Sequence, residues 1–262
     1  MALSSMRLEI QEGLATVTLA QGARGNPFDD DFTRDFRQVF CELWEAQGLR
    51  AVLLKAEGPN FSVGGDLKAF YPKRAELPAI VRRWTADLHM GLQRAWNLPV
   101  PVVCAVQGFC MGGGTALMAG CDVVVAGESA RIGSAFAQLG FSCDSGSTVT
   151  LSARMGPARA RRFVLLAETL QAPEALQAGL VDKVVADAQV QEEALAIARR
   201  LAAGPTVAYG ETKRLFLRVG TTQLEAQLED EALTLARVSA TADAQEGIAA
   251  MVEKRKPVFQ GR

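Results

Sequence analysis

Leu98-Pro-Val-Pro-Val-Val-Cys-Ala-Val-Gln-Gly-Phe-Cys-Met-Gly-Gly-Gly-Thr-Ala-Leu-Met-Ala-Gly-Cys121 contains no acid or base, and charge returns only at Asp122. The run is long enough to cross a bilayer as a single helix. Pro99, Pro101, Gln107 and the glycines, however, suit the interior of such a helix poorly. Three shorter elements fit better. Val100–Val106 is short, apolar and largely β-branched, which predicts a strand buried on both faces of a parallel sheet. Gln107–Gly112 reads as a tight connection, Gly113–Gly120 as a small-residue helix lying close to the sheet, and Asp122–Ala126 as the next strand. A helix that opens on Gly112-Gly113-Gly114 at the carboxyl end of a strand leaves free N–H groups facing a crevice, and glycine lets a ligand come close to them. Such an end stabilises negative charge, on a phosphate or on an oxygen becoming an oxyanion. Tight helix–sheet packing accounts for three glycines equally well.

The remainder of the chain bounds what such a crevice serves. Of 262 residues, 49% are apolar and 22% charged, with a net charge of −1, the profile of a soluble globular protein with a sizeable core. No basic stripe is present, so no nucleic-acid partner is expected. Met1–Arg7 lacks the apolar core of a secretion signal. The five cysteines, Cys41, Cys104, Cys110, Cys121 and Cys143, form no CxxC pair. A reduced, cytoplasmic setting is therefore expected rather than a disulfide framework. His89 is the only histidine, which leaves little material for a zinc site or a Ser–His–Asp triad. No metal is expected, and His89 reads as a semi-buried structural residue.

In chain order, Met6–Gln11 and Leu14–Leu19 alternate around Glu12-Gly13 as a hairpin. Asp29-Asp-Asp31 offers a cap and first-turn acids to a helix that turns Phe32, Phe36, Val39, Phe40 and Leu43 inward; a metal site is the alternative use of that triplet. Ala51–Ala56 is a buried strand, and Gly58–Asp66 a glycine-bearing loop at its carboxyl end. Leu77–Asn97 is an amphipathic helix with Ile80, Trp84, Leu88 and Leu92 on one stripe. After the central run come a short strand at Ala130–Gly133, a loop at Gly140–Gly146 and helices at Ser147–Met155 and Ala158–Ala167. From Gln189 onward the pattern is helical throughout. An α/β body over residues 1–200 is thus expected to carry a helical region over 201–262.

Three segments resemble the enoyl-CoA hydratase/isomerase (crotonase) superfamily, and the similarity spans essentially the whole chain. They are Phe61-Ser-Val-Gly-Gly-Asp-Leu-Lys68, then Pro101–Gly114 followed by Cys121-Asp122, and the ending Glu253-Lys-Arg-Lys-Pro-Val-Phe259. The resemblance implies a ββα spiral with a C-terminal trimerisation region, assembled as a homotrimer or a dimer of trimers. It also implies an acyl-CoA thioester as substrate, with coenzyme A entering as part of that substrate and no separate cofactor. By position, the amides of Gly65 and Gly113 match the family's oxyanion hole. Arg24 and Lys68 match a region that meets the CoA nucleotide, and Lys254 and Phe259 match one that reaches the CoA site of their own or a neighbouring subunit. A solvated surface role is the alternative for each lysine. The physics is general: removing a thioester's α-proton puts negative charge on the carbonyl oxygen. Each fixed N–H donor there is worth on the order of 3 kcal/mol.

The resemblance also bears on the reaction. Hydratases of this family activate water with two glutamates, and these positions fall on Ala116 and Phe136 here. Neither residue polarises water, and a phenylalanine tends to exclude it. Gly140-Phe-Ser-Cys-Asp144-Ser-Gly146 instead resembles the segment in which the family's isomerases carry a proton-shuttling aspartate. Asp144 is therefore the expected acid/base of an acyl-CoA double-bond isomerase, with Phe136 in the acyl-binding wall and Phe141 beside it raising the acid's pKa. Capping of the helix that follows is the alternative role for Asp144. Another reaction on the same thioester, or a CoA-binding protein with little catalysis, are the alternative functions. Phe70, Tyr71 and Trp84 are further candidates for an acyl pocket.

Overall fold

Side-chain alternation along the central strand sets the layers of the molecule. Val102, Cys104 and Val106 enter one buried cluster, and Val103 and Ala105 the other. A strand apolar on both faces must be covered on both. The computed structural model describes residues 3–262, the side chain of Arg74 excepted. The first half of the chain forms β1 (Met6–Gln11), β2 (Leu14–Leu19), α1 (Asp30–Glu45), β3 (Ala51–Ala56), α2 (Leu67–Phe70), α3 (Leu77–Asn97), β4 (Val102–Val106), β5 (Phe109–Met111) and α4 (Gly113–Ala119). There follow β6 (Val123–Gly127), β7 (Arg131–Gly133), α5 (Ser147–Met155), α6 (Pro157–Leu165), β8 (Thr169–Gln171), α7 (Ala172–Gln177) and β9 (Lys183–Val185). Four helices end the chain: α8 (Val190–Ala202), α9 (Thr206–Phe216), α10 (Leu224–Ser239) and α11 (Ala242–Val252).

The larger sheet runs β1-β2-β3-β4-β6-β9, antiparallel only in the β1–β2 hairpin. Val190, Ala194 and Ala198 of α8 cover Leu53, Val103 and Val125 on one face, while α1 and α3 contribute to the main core on the other. The expected α/β class holds, and the run Leu98–Cys121 is divided among β4, β5 and α4. No described helix is long and apolar enough to cross a membrane. Two features depart from the sequence reading. The connection Gln107–Gly112 contains β5, and Thr169–Gln171 forms β8; with β7 they build a second, three-stranded sheet, β5-β7-β8. At three residues each, β5 and β8 are too short for a period of two to stand out from their surroundings.

Asp29 caps α1: its side chain accepts the Phe32 amide at 2.9 Å. Phenylalanines four apart then pack ring against ring along the buried face, with centroids 3.8 Å apart for Phe28–Phe32 and 5.7 Å for Phe32–Phe36, both stacked, and 4.5 Å for the tilted pair Phe36–Phe40. This ladder runs from the core to the start of α4, where a Cβ built on Gly113 would lie 2.7 Å from the Phe28 ring. At the other end of the chain, Lys213 of α9 donates to Asp122 at 2.8 Å. Arg214 grips Asp230 of α10 through both terminal nitrogens at 2.8 and 2.9 Å. Phe216, Val219, Leu224, Leu235, Met251 and Val252 remain exposed on this helical region.

Candidate active site

The loop after β3 is laid along β5. The Ser62 amide donates to the Phe109 carbonyl at 3.0 Å, and the Met111 amide donates back to the Ser62 carbonyl at 2.9 Å. The Ser62 hydroxyl donates to the Asn26 carbonyl at 2.8 Å and accepts the Gly64 amide at 3.1 Å. Phe28 brackets the next residue: its amide donates to the Gly64 carbonyl at 2.8 Å, and its carbonyl accepts the Asp66 amide at 3.1 Å. Gly65 is thereby held between fixed neighbours. Across from it, Gly112 turns the chain out of β5 with φ +54°, a conformation that penalises any Cβ. Gly113 then opens α4 with its amide outside the helix ladder. Among the described residues, neither the Gly65 nor the Gly113 amide donates to a protein acceptor.

Gly65, Gly113, Phe136 and Asp144 all line one cavity of about 550 Å³. Asp144 is half-buried, and it is the one ionisable side chain among the described residues that line this space. Burial raises the pKa of its carboxyl above the ordinary carboxylate value. The Ser145 hydroxyl and the nearby charge of His89 pull the other way without cancelling that rise. Ser145 donates to Asp144 Oδ1 at 3.0 Å. The α5 amides take nothing from the carboxylate: it is the Asp144 carbonyl that accepts the Ser147 amide at 3.0 Å, and α5 has no side-chain cap. The carboxylate is thus not spent on the helix end, and Asp144 lines the cavity.

Ser145 itself went unnoticed in the sequence. It is buried, holds φ +53°, and its Oγ sits 3.4 Å from where a Gly113 Cβ would be. Its only sequence signal is adjacency to Asp144. Ala116 is fully buried inside α4 and does not reach the cavity. The Phe136 ring lies 3.9 Å from a Cβ built on Gly112. The two positions that matched hydratase acids therefore carry a buried methyl and a wall of the cavity.

The other candidates are spread more widely. Arg24 lies outside the cavity lining; it donates to Asp29 at 2.7 Å and to the Asp66 carboxylate, tying the Gly65 loop to the start of α1. The hydrogen bond and charge of Asp29, helped by Asp66, keep its guanidinium firmly protonated. Lys68 is exposed on α2, beside but not on the lining. Lys254 is exposed beyond the end of α11. The Phe259 carbonyl accepts Arg50 at 3.2 Å, and Phe259 lines a different groove with Arg50 and Leu53. Neither C-terminal residue reaches the cavity of its own chain. Phe70 and Trp84 line the cavity, whereas Tyr71 is 72% exposed and off it. His89 is exposed rather than semi-buried, because its place one residue off the apolar stripe of α3 faces solvent.

Free amides at a helix start, a second free amide from a neighbouring loop and one carboxylate on an apolar cavity can hold an oxyanion and move a proton. Comparison with known proteins gives the family. The model of the enoyl-CoA hydratase/isomerase family matches residues 9–262. A probable enoyl-CoA hydratase of Rhodobacter capsulatus is 34% identical over 263 residues, covering 100% of both chains. The 1,2-epoxyphenylacetyl-CoA isomerase of Escherichia coli is 33% identical over 261 residues, covering 97% of each. The crystal structure of a putative enoyl-CoA hydratase from Streptomyces coelicolor A3(2) superposes with a TM-score of 0.94 at 32% identity, over 100% of this chain and 96% of that one. With the spiral fold, the paired amides and relatives matched end to end, this chain belongs to the enoyl-CoA hydratase/isomerase family.

Proposed function

We propose that the protein is an acyl-CoA double-bond isomerase in which Asp144 carries the proton and the amides of Gly65 and Gly113 hold the thioester oxygen. One observation carries this: the only ionisable group among the described lining residues shares its cavity with two amides that have no described protein acceptor. Ionised Asp144 takes a proton from C2 of a 3-enoyl-CoA. The electron pair delocalises onto the thioester oxygen, which the two amides stabilise as a dienolate. The same carboxyl then returns the proton to C4, leaving the conjugated 2-enoyl-CoA. A raised pKa makes Asp144 a stronger base than an aspartate in water. Phe136 keeps water from the reacting carbons, which supports isomerisation over hydration. The E. coli relative named as an isomerase supports the same branch, and relatives named as hydratases represent the other.

The assay is direct. Purified protein given 3-hexenoyl-CoA is expected to conjugate it, seen as a rise in near-ultraviolet absorbance, and to leave 2-hexenoyl-CoA essentially unhydrated. Rapid hydration of the second with no conjugation of the first would sink the reading.

Ser145→Ala provides a second check. Loss of its hydroxyl removes a donor that favours ionised Asp144. Because Asp144 acts as base only when ionised, the acidic limb of kcat/KM is expected to move to higher pH, with a severalfold drop in kcat near that limb. A pH profile unchanged from wild type would show that the serine only packs.

The exposed apolar residues of α9–α11 support assembly as a homotrimer or a dimer of trimers. Lys254 and Phe259 sit away from their own cavity, which favours the reading that they meet CoA from a neighbouring copy. Light scattering that returned a monomer would remove this part.

A further inference from the structure

We infer that the site takes a bulky, uncharged acyl group and rejects acyl chains that end in a carboxylate, with Phe70 and Trp84 as its specificity-determining side chains. This rests on the thioester reading above and names the acyl class that the same cavity selects.

The wall begins at the amide itself. A Cβ on Gly65 would lie 3.0 Å from the Phe70 ring, and the Phe70 and Trp84 centroids are 5.0 Å apart with planes inclined at 35°. The group attached to a carbonyl held at Gly65 therefore meets an aromatic pair first. Trp84 is not free to swing away. Its indole N–H donates to Asp30, whose same oxygen also takes Arg83 at 2.9 Å. Leu77, Val81 and Leu88 of α3 continue this wall, and Phe136, Leu139 and Phe141 face it across the cavity.

Charge gives the other half. Apart from Asp144, the polar side chains on the described lining, Thr33, Thr85, Gln138, Ser134, Ser142 and Ser145, are uncharged, and no lysine or arginine is among them. A second carboxylate brought into this space would lose water without gaining a counter-charge from any described lining residue. It would also share a poorly screened cavity with ionised Asp144, and like charges disfavour each other there. A two-carbon acyl group escapes that penalty but leaves the aromatic wall unfilled, so it forgoes the burial that an aryl or medium chain gains.

The test uses saturated acyl-CoAs, which bind whether or not the enzyme isomerises anything. Calorimetric titration of the full-length protein is expected to give Kd values for heptanoyl-CoA and phenylacetyl-CoA at least about tenfold below acetyl-CoA. Adipoyl-CoA is expected at least about 100-fold above heptanoyl-CoA. Phe70→Ala is expected to narrow the gap between phenylacetyl-CoA and acetyl-CoA to within about threefold. Because a truncation can fail by unfolding, a gain is also sought. Val81→Arg, at an exposed position on the cavity side of α3, is expected to tighten adipoyl-CoA at least about tenfold relative to heptanoyl-CoA measured in the same variant. Adipoyl-CoA binding within threefold of heptanoyl-CoA would overturn the selectivity and leave the thioester reading standing. Failure of every acyl-CoA to bind would overturn both.

Discussion

Asp144→Asn is expected to lower kcat for conjugation of a 3-enoyl-CoA by about 10³-fold, within the range that a positioned acid/base contributes, while acyl-CoA binding stays within a few fold of wild type. Asparagine keeps the size of the side chain, and its carbonyl oxygen still accepts the Ser145 hydroxyl, so the geometry survives and only the basicity is lost. The same change has a stability signature of fixed sign. Burial raises the Asp144 pKa in the folded chain, so the fold favours the protonated form. That contribution is present below the ordinary carboxylate pKa and is lost as pH rises through the raised, folded-state value. At pH 7 the wild-type protein therefore carries an ionised carboxylate in an apolar cavity, and the asparagine variant is expected to melt at the higher temperature. The difference should close as the pH falls through the window between the raised value and the ordinary one. Undiminished turnover in this variant would remove Asp144 from the mechanism whatever its melting temperature.

Gly113→Val is expected to cost on the order of 10²–10³ in kcat/KM, the loss that follows removal of one oxyanion donor. Its cause is spatial. A Cβ there would lie 2.7 and 2.9 Å from two atoms of the Phe28 ring and 3.4 Å from Ser145 Oγ. Phe28 has nowhere to retreat, being stacked at 3.8 Å on Phe32, which leads into the Phe36–Phe40 ladder. Either α4 shifts and carries its first amide off the thioester oxygen, or the ladder gives way. Overpacking of this kind costs about 1–3 kcal/mol in stability. Adding Phe28→Ala to Gly113→Val separates the two effects: it should return part of the stability, read from a denaturant midpoint, through a measurable coupling between the two sites. A Gly113→Val enzyme with kcat/KM within threefold of wild type would mean that this amide does not meet the reacting oxygen.

Local pattern was sufficient for much of the architecture. The β1–β2 hairpin, the doubly buried β4 and the amphipathic α3 lie where apolar spacing puts them, because burial of a strand face or helix stripe is written into windows of six to twenty residues. The motifs around Gly65, Gly113 and Asp144 were likewise visible as short segments. Their meeting was not. Gly65 and Gly113 face one cavity because β3 and β4 are parallel neighbours and the loop after β3 lies along β5; that is a matter of strand order, which no short window records. For the same reason β5 and β8 went unseen, each being three residues long and stabilised by its partners rather than by its own pattern.

Ion pairs behave similarly. Arg24 reaches Asp66 across 42 residues, and its guanidinium holds the Gly65 loop in place rather than facing the cavity. Asp144 shows the division most clearly: its presence in a glycine-flanked segment was open to reading, but capping and proton transfer use the same residue. In the tertiary fold the helix end goes to the Asp144 carbonyl, and the residue lines the cavity with its carboxyl partly desolvated. Chemical identity is local to the chain, whereas burial and direction arise only when distant segments pack.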